Sequence, residues 1–433
     1  MNNPGTTCNC PAMLVSAPAS GQGKTTVTAA MAYYHRSLQR KVRVFKTGPD
    51  FLDPQILAHA SGAPVYQLDL WMMGERHCRE LLYRAALESD VVLIEGVMGL
   101  FDGEASSADL AQITGVPVAA VIDAQGMAQT FAAVAYGLAG YRPQLPFAGV
   151  IANKVGSLSH ARLLQEALPE NMRLLAAMPK DAAIALPSRH LGLQQAAEIA
   201  DIDLRLSKAA ELLTGFAPCL PPPAVAFAAP ETAPTPGLLA GKRIAVARDA
   251  AFSFIYQANL DCLRAMGAEL RFFSPLTDQS LPEADSIYLP GGYPELHLSA
   301  LASNQAMRAS LRAHHQAGKP MYAECGGLLY LLDDLTDLRG HSAAMAGVMP
   351  GKAHMQDKLV NLGMHSLKLD GGEIRGHSFH HSQLETAVPP LTGSIPQRSR
   401  NRSEAFFRHG SLQASYLHNY FPYNPRLAAG FFL

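Results

Sequence analysis

The stretch Met13-Leu14-Val15-Ser16-Ala17-Pro18-Ala19-Ser20-Gly21-Gln22-Gly23-Lys24-Thr25-Thr26 decides the first half of the fold. An apolar strand runs into a glycine loop, and a helix pattern starts at Lys24 and continues to Arg36. Gly21 and Gly23 let the backbone close around an anion with its N–H groups inward, and the helix adds the positive end of its dipole. Lys24 then reaches β- and γ-phosphates, and the Thr25 hydroxyl suits Mg²⁺. The expected ATP-binding residues are Gly21, Gln22, Gly23, Lys24, Thr25 and Thr26. The loop departs from the usual P-loop pattern at Pro18, where a glycine is customary. It also carries Ala19 where partitioning-type ATPases have an extra lysine, which counts against a P-loop switch.

Outward from this loop, short apolar runs at Val42–Thr47, Val91–Glu95, Val116–Ile122 and Phe147–Ala152 alternate with helical patterns at Arg79–Glu88 and Ala128–Leu138. Continuous apolar strands alternating with helices predict a mostly parallel sheet with helices on both faces. Ligands bind such sheets at the carboxyl ends of the strands. Asp50 and Asp53 in Gly48–Pro54 fall there, as do Glu95 at the end of Val91–Glu95 and Asp102 in the glycine loop beyond it. Hard carboxylate oxygens suit Mg²⁺, so Thr25, Asp50 and Glu95 are the candidate metal set. Asp53 and Asp102 are closer to a balance between ligand contact and solvated charge. Asn153, just past a strand, is a candidate adenine contact.

The alternation lapses at Phe216–Gly241, where seven prolines stand among alanines. That density predicts a semi-rigid linker. The rhythm resumes with strands at Arg243–Ala247, Leu270–Phe273, Ser286–Leu289 and Pro320–Ala323 and helices at Phe254–Met266 and Ala306–Ala317. The expected division is therefore 1–11 disordered, 12–215 nucleotide-binding, 216–241 linker and 242–433 a second α/β domain.

Within the second domain, Met321-Tyr322-Ala323-Glu324-Cys325-Gly326-Gly327 carries a cysteine between a strand and a helix start. A strained turn of that kind exposes a nucleophile and leaves the next N–H free for an oxyanion. Gly326 is that donor, and Gly292 in Pro290-Gly291-Gly292-Tyr293 is a second. A cysteine is more often a small buried hydrophobe, and the chain has 16 histidines. His418 stands out as the base because it ends a strand-like run, Ala414–Phe421, near the C-terminus.

Composition limits the rest. The chain has 433 residues, 48% of them hydrophobic and 16% charged, with 35 Lys plus Arg against 36 Asp plus Glu. A net charge of −1 offers no basic surface for nucleic acid or an anionic membrane. Six cysteines in this length are no disulfide framework. No signal peptide or membrane-spanning run is legible, so a cytoplasmic protein is expected.

Taken together, Ala17–Thr26, Lys46–Pro54, Ile94–Gly103, Arg189–Leu193, Pro290–Pro294, Ala323–Leu329, Arg375–Ser382 and Ser415–His418 resemble, in order, the cobyrinic acid / hydrogenobyrinic acid a,c-diamide synthases of corrinoid biosynthesis. The resemblance implies an N-terminal dethiobiotin-synthetase-like P-loop domain and a C-terminal triad-type glutaminase domain. It implies ATP, Mg²⁺ and glutamine as nitrogen donor, with a corrinoid or other tetrapyrrole as acceptor. By it Cys325 and His418 carry glutamine hydrolysis, while Asp53, Asp102, Arg189 and His190 lie toward the substrate. Three departures stand out: Tyr420 where related glutaminases of other families have a glutamate, Asn419-Tyr420 in place of Leu-His, and Ser378 where a glutamate is usual. Other tetrapyrrole amidases, and a non-catalytic switch fused to an inert glutaminase-like module, remain the alternatives. A homodimer is one expectation for assembly, which the sequence does not set.

Overall fold

The computed structural model describes residues 7–189, 192–193, 195–216, 221–231 and 235–433. The chain divides into two units at 232/233. In the first, seven strands lie in the order β3-β2-β4-β1-β5-β6-β7. They span Thr7–Ser16 (β1), Val42–Thr47 (β2), Tyr66–Leu68 (β3), Val91–Glu95 (β4), Val118–Asp123 (β5), Phe147–Val155 (β6) and Leu174–Pro179 (β7). All neighbours in this order are parallel. The reason is visible in β4: Val91–Glu95 is buried along its whole length, which requires cover on both faces of the sheet. Burying each of its branched side chains is worth roughly 1.5–3 kcal/mol.

Two expectations are corrected here. Strand β1 begins at Thr7, inside the segment expected to be disordered. It is longer than the parallel sheet needs, and Thr7–Pro11 pair antiparallel with Ala224–Ala228, a strand inside the proline-rich segment. Proline removes ladder donors only where it stands; the five residues of Ala224–Ala228 contain none, and Val225 and Phe227 alternate inward. Part of the expected linker is thus a component of the first unit. Cys8 and Cys10 lie on β1, and their thiols face the carbonyls of Ala86 and Ser89.

In the second unit, strands Glu269–Phe273, Arg243–Ala247, Ser286–Leu289, Met321–Glu324 and Leu412–Ser415 form a parallel run in that spatial order. Strands Ala405–His409 and Pro390–Gly393 extend it antiparallel. The α/β rhythm did not announce the smaller antiparallel sheet in which Asn361–Leu369 pairs with Gly372–His380 and the latter with His418–Asn419. The run Ala414–Phe421 therefore crosses from one sheet to the other, and His418 belongs to the second. Among the described residues, no helix is long and apolar enough to cross a membrane.

Candidate functional site

In the first unit, the loop after β1 turns through Gly21 and Gly23 at φ 78° and 93°, a region that costs little only for glycine. The helix Lys24–Ser37 (α1) has no side-chain cap at its N-terminus. Its first N–H groups are left to the solvent or to an anion. A Cβ on Gly23 would lie 2.2 Å from Asn153 Nδ2. That amide donates to Gln22 O at 2.8 Å, while Gln22 Oε1 accepts from Asp123 N at 2.7 Å. Asn153 Oδ1 accepts from Lys154 N. The side chain expected at adenine is thus committed to bracing the loop.

Lys24 Nζ donates to Ala19 O at 3.1 Å and Met98 O at 2.6 Å. Met98 belongs to the glycine-rich loop after β4, which packs closely here. A Cβ on Gly99 would sit 2.7 Å from Pro18 O and 2.6 Å from Asp102 Oδ2. Asp102 accepts from Gly99 N at 2.8 Å, so it shapes this loop. Carbonyls at Ala19 and Met98 thus hold the Lys24 ammonium beside the loop.

The acids gather around a residue that sequence reasoning did not single out. Lys46 Nζ lies 2.6 Å from Glu95 Oε1, 2.6 Å from Asp53 Oδ2 and 3.5 Å from Asp50 Oδ2. Burial works against the Lys46 charge, but these carboxylates overcome it and hold the ammonium above its ordinary range. Burial pushes Glu95 up to about 7. Thr25 Oγ1 donates to Glu95 Oε1 at 2.8 Å and is 3.3 Å from Asp53 Oδ2. Asp50 is placed differently from the expectation. Its Oδ1 accepts from Leu52 N and Asp53 N, so it caps the loop that presents Asp53. A signal for Lys46 was present in its position, the last turn inward before Gly48-Pro49-Asp50, but a buried lysine on a central strand needs its partners to be known.

Among the described residues, no three His, Cys, Asp or Glu side chains form a cage able to hold a metal ion by themselves. Mg²⁺ does not need one, since it is usually bound through one or two carboxylates, waters and substrate phosphates. Thr25 Oγ1, Glu95 and Asp53 offer such oxygens beside the phosphate loop, and Glu95 Oε2 is buried with no hydrogen-bond partner. The donor set fits the ion. Arg189 pairs with Gly192 in a two-residue strand contact; His190 lies outside the described residues.

In the second unit, Cys325 stands between strand Met321–Glu324 and helix Gly326–Leu331 at φ 44°, ψ −111°, strained for a residue with a Cβ. It is one of four positive-φ non-glycine residues among those described. The turn is tight because glycines border it. A Cβ on Gly326 would lie 2.8 Å from Gly292 N, and one on Gly327 would lie 2.2 Å from Leu289 O. The backbones of Gly326 and Gly292 thereby meet beside the thiol. On the other side of the same turn, a Cβ on Gly291 would strike His418 Cε1 at 2.2 Å. Cys325 with Gly326, His418 and Gly292, from three separate segments, converge at Gly291-Gly292.

Burial dominates the electrostatics. It pushes the Cys325 thiol far up, aided by the charges of Glu295, Glu404 and Glu324, while the Gly326 N–H pulls the other way. Burial, then the neighbouring His380, lowers His418 to about 3. Burial thus favours the neutral thiol and the neutral imidazole. Such a thiol becomes nucleophilic only as its proton moves to a base.

Other polar groups around this centre came only from the structure. Glu324 accepts from Tyr288 and Tyr322 hydroxyls at 2.8 and 3.0 Å and from Asn419 N at 3.0 Å. Glu404 Oε1 accepts from Ser378 Oγ at 2.6 Å and Asn361 Nδ2 at 2.5 Å, and pairs with His380 Nε2 at 3.0 Å. Ser378, where the family usually has a glutamate, is thus the donor to a carboxylate that immediately precedes strand Ala405–His409.

A phosphate-binding loop on one α/β unit and a cysteine elbow with a histidine on another define a nucleotide-dependent glutamine amidotransferase. Comparison with known proteins agrees. Residues 13–193 match the CobQ/CobB/MinD/ParA nucleotide-binding domain, and residues 243–425 match the CobB/CobQ-like glutamine amidotransferase domain. A hydrogenobyrinate a,c-diamide synthase of Pseudomonas aeruginosa is 58% identical over 98% of both chains. One of Stutzerimonas stutzeri is 59% identical over 98% of this chain and 99% of its own. A cobyrinate a,c-diamide synthase of Herminiimonas arsenicoxydans is 51% identical over 97% of this chain and 96% of its own. The chain belongs to the a,c-diamide synthase family, and it is an amidotransferase ligase.

Proposed function

We propose that the protein amidates the a and c carboxylates of hydrogenobyrinate, with cobyrinate as the second acceptor, using ATP and glutamine. The observation that carries this reading is the 58–59% identity, over nearly the whole length, to two synthases named for hydrogenobyrinate.

In the first unit a substrate carboxylate oxygen attacks the γ-phosphorus of ATP, and ADP leaves. Lys24 and the loop N–H groups face the charge spread over the transferring phosphoryl group. Thr25, Glu95 and Asp53 would hold Mg²⁺, which neutralises phosphate charge when bound. Asp102, Arg189 and His190 are assigned to corrinoid binding by the family resemblance. The acyl phosphate then loses phosphate to ammonia, which gives the amide after release of a proton.

In the second unit Cys325 Sγ attacks the side-chain carbonyl carbon of glutamine as its proton passes to His418. The N–H groups of Gly292 and Gly326 receive the oxyanion. His418 returns the proton to the departing ammonia, and water cleaves the thioester to glutamate.

Incubation with hydrogenobyrinate or cobyrinate, ATP and glutamine, read by product mass, tests the proposal. Addition of two amides to hydrogenobyrinate is expected. Nucleotide turnover with no amide on either acceptor overturns it; preference for another tetrapyrrole acid replaces the acceptor.

A further inference from the structure

A base in a protein interior must be held at one angle, and a second imidazole lies against the His418 ring. The residue two beyond it is Tyr420, whose ring packs edge-on against Tyr256 at 5.6 Å between centroids. Strand Gly372–His380 pairs antiparallel with His418–Asn419, and the register sets His377 directly opposite His418. The two imidazoles stack with centroids 4.9 Å apart and planes 19° from parallel. Tyr256 Oη and His377 Nδ1 share a 2.7 Å hydrogen bond across 121 residues of sequence. The Cε1 edge of the His418 ring meets Gly291, whose missing side chain leaves room for it.

We propose that His377, anchored by Tyr256, is the positioning residue for His418: the His377 imidazole lies against the face of the proton carrier's ring, and the Gly291 backbone borders its Cε1 edge. This rests on the reading of the second unit as a glutaminase. The chemistry favours an imidazole in this role over a charged group. Burial holds His377 far below its usual range, so it stays neutral, and the stack adds no second cation when His418 takes the thiol proton. A flat polarisable face beside the imidazolium stabilises it without fixing it by charge. Near Cys325 a ring free to tilt by even about 1 Å loses the attack geometry, a displacement that can cost about 10²-fold in rate.

The test separates positioning from folding through kcat and KM for glutamine, measured by glutamate release in the full-length protein. His377→Ala is expected to lower kcat by about 10²-fold with KM changed less than about 2-fold. His377→Phe, which keeps a flat ring, is expected to recover about 10-fold of that loss, and Tyr256→Phe to cost about 10-fold in kcat. Ammonia-driven amidation by all three variants should match the parent. A kcat for His377→Ala within about 3-fold of the parent overturns the proposal, as does a loss confined to KM. If His377→Ala fails to fold, Tyr256→Phe with parental kcat overturns it equally. A parent protein that releases no glutamate from glutamine overturns the glutaminase reading itself, and the proposal with it.

Discussion

Lys46 shows how much a single buried charge can organise. Its ammonium, 3% exposed as a side chain, holds Asp53 and Glu95 within 2.6 Å. Removing one partner of a buried ion pair leaves uncompensated charge and typically costs 3–5 kcal/mol. Lys46→Ala should therefore destabilise the first unit by about 3 kcal/mol, measured by urea unfolding at pH 8. Glu324 poses the converse case in the second unit. Burial raises it to about 8, so the folded chain keeps a proton that the unfolded chain releases near 4.5. Its contribution to stability is full below that lower value and is lost as pH rises through about 8. Glu324→Gln carries no such charge, and its stability should fall less between pH 5 and pH 8.5, by on the order of 2 kcal/mol. A parallel pH dependence of the melting temperatures of parent and variant would contradict this.

At the scale of elements, both chemical centres are strand-to-helix turns made possible by glycine. Gly23 turns at φ 93° with Asn153 against it, and Gly291 leaves space for His418. A methyl at Gly291 meets the imidazole 2.2 Å away and must displace it. Gly291→Ala should reduce glutamine hydrolysis by about 10²-fold or more, while ammonia-driven synthesis survives. Equal loss of both activities would show that the turn serves stability alone. The antiparallel pairing of Thr7–Pro11 with Ala224–Ala228 is a different kind of device. It ties the start of the first unit to its end through residues the proline pattern had assigned to a linker.

For the whole molecule, the consequence of two units is that their chemistry can be separated. Cys325→Ala should abolish amidation driven by glutamine and leave amidation at high ammonia within about 2-fold of the parent. Lys24→Ala should abolish both, because in the proposed reaction activation of the carboxylate precedes either nitrogen source; a loss of at least about 10³-fold is expected from removing the cation proposed to face the transferring phosphoryl group. Product formation with each donor measures the two outcomes. Ammonia-driven synthesis that depends on Cys325, or ATP turnover that ignores Lys24, contradicts the division of labour.

The amino-acid sequence by itself determined the local chemistry. Apolar strand, glycine loop and helix occur as one uninterrupted run at Met13–Arg36 and again at Met321–Leu331, so propensity, turn geometry and the cysteine's place on its turn are all local properties. The strands Val42–Thr47, Val91–Glu95, Arg243–Ala247 and Ser286–Leu289 were legible to the residue for the same reason. Tertiary structure alone decided what surrounds these turns: Lys46 among its carboxylates, Asp50 as a cap rather than a companion of Thr25, Asn153 as a brace, and His377 with Tyr256 against His418. These contacts join residues up to 131 positions apart, and their energy depends on burial, which no window of sequence contains. Hydrogen-bond partners across such distances are set by strand order and register, and a shift of one residue would have turned His377 to the other face of its sheet.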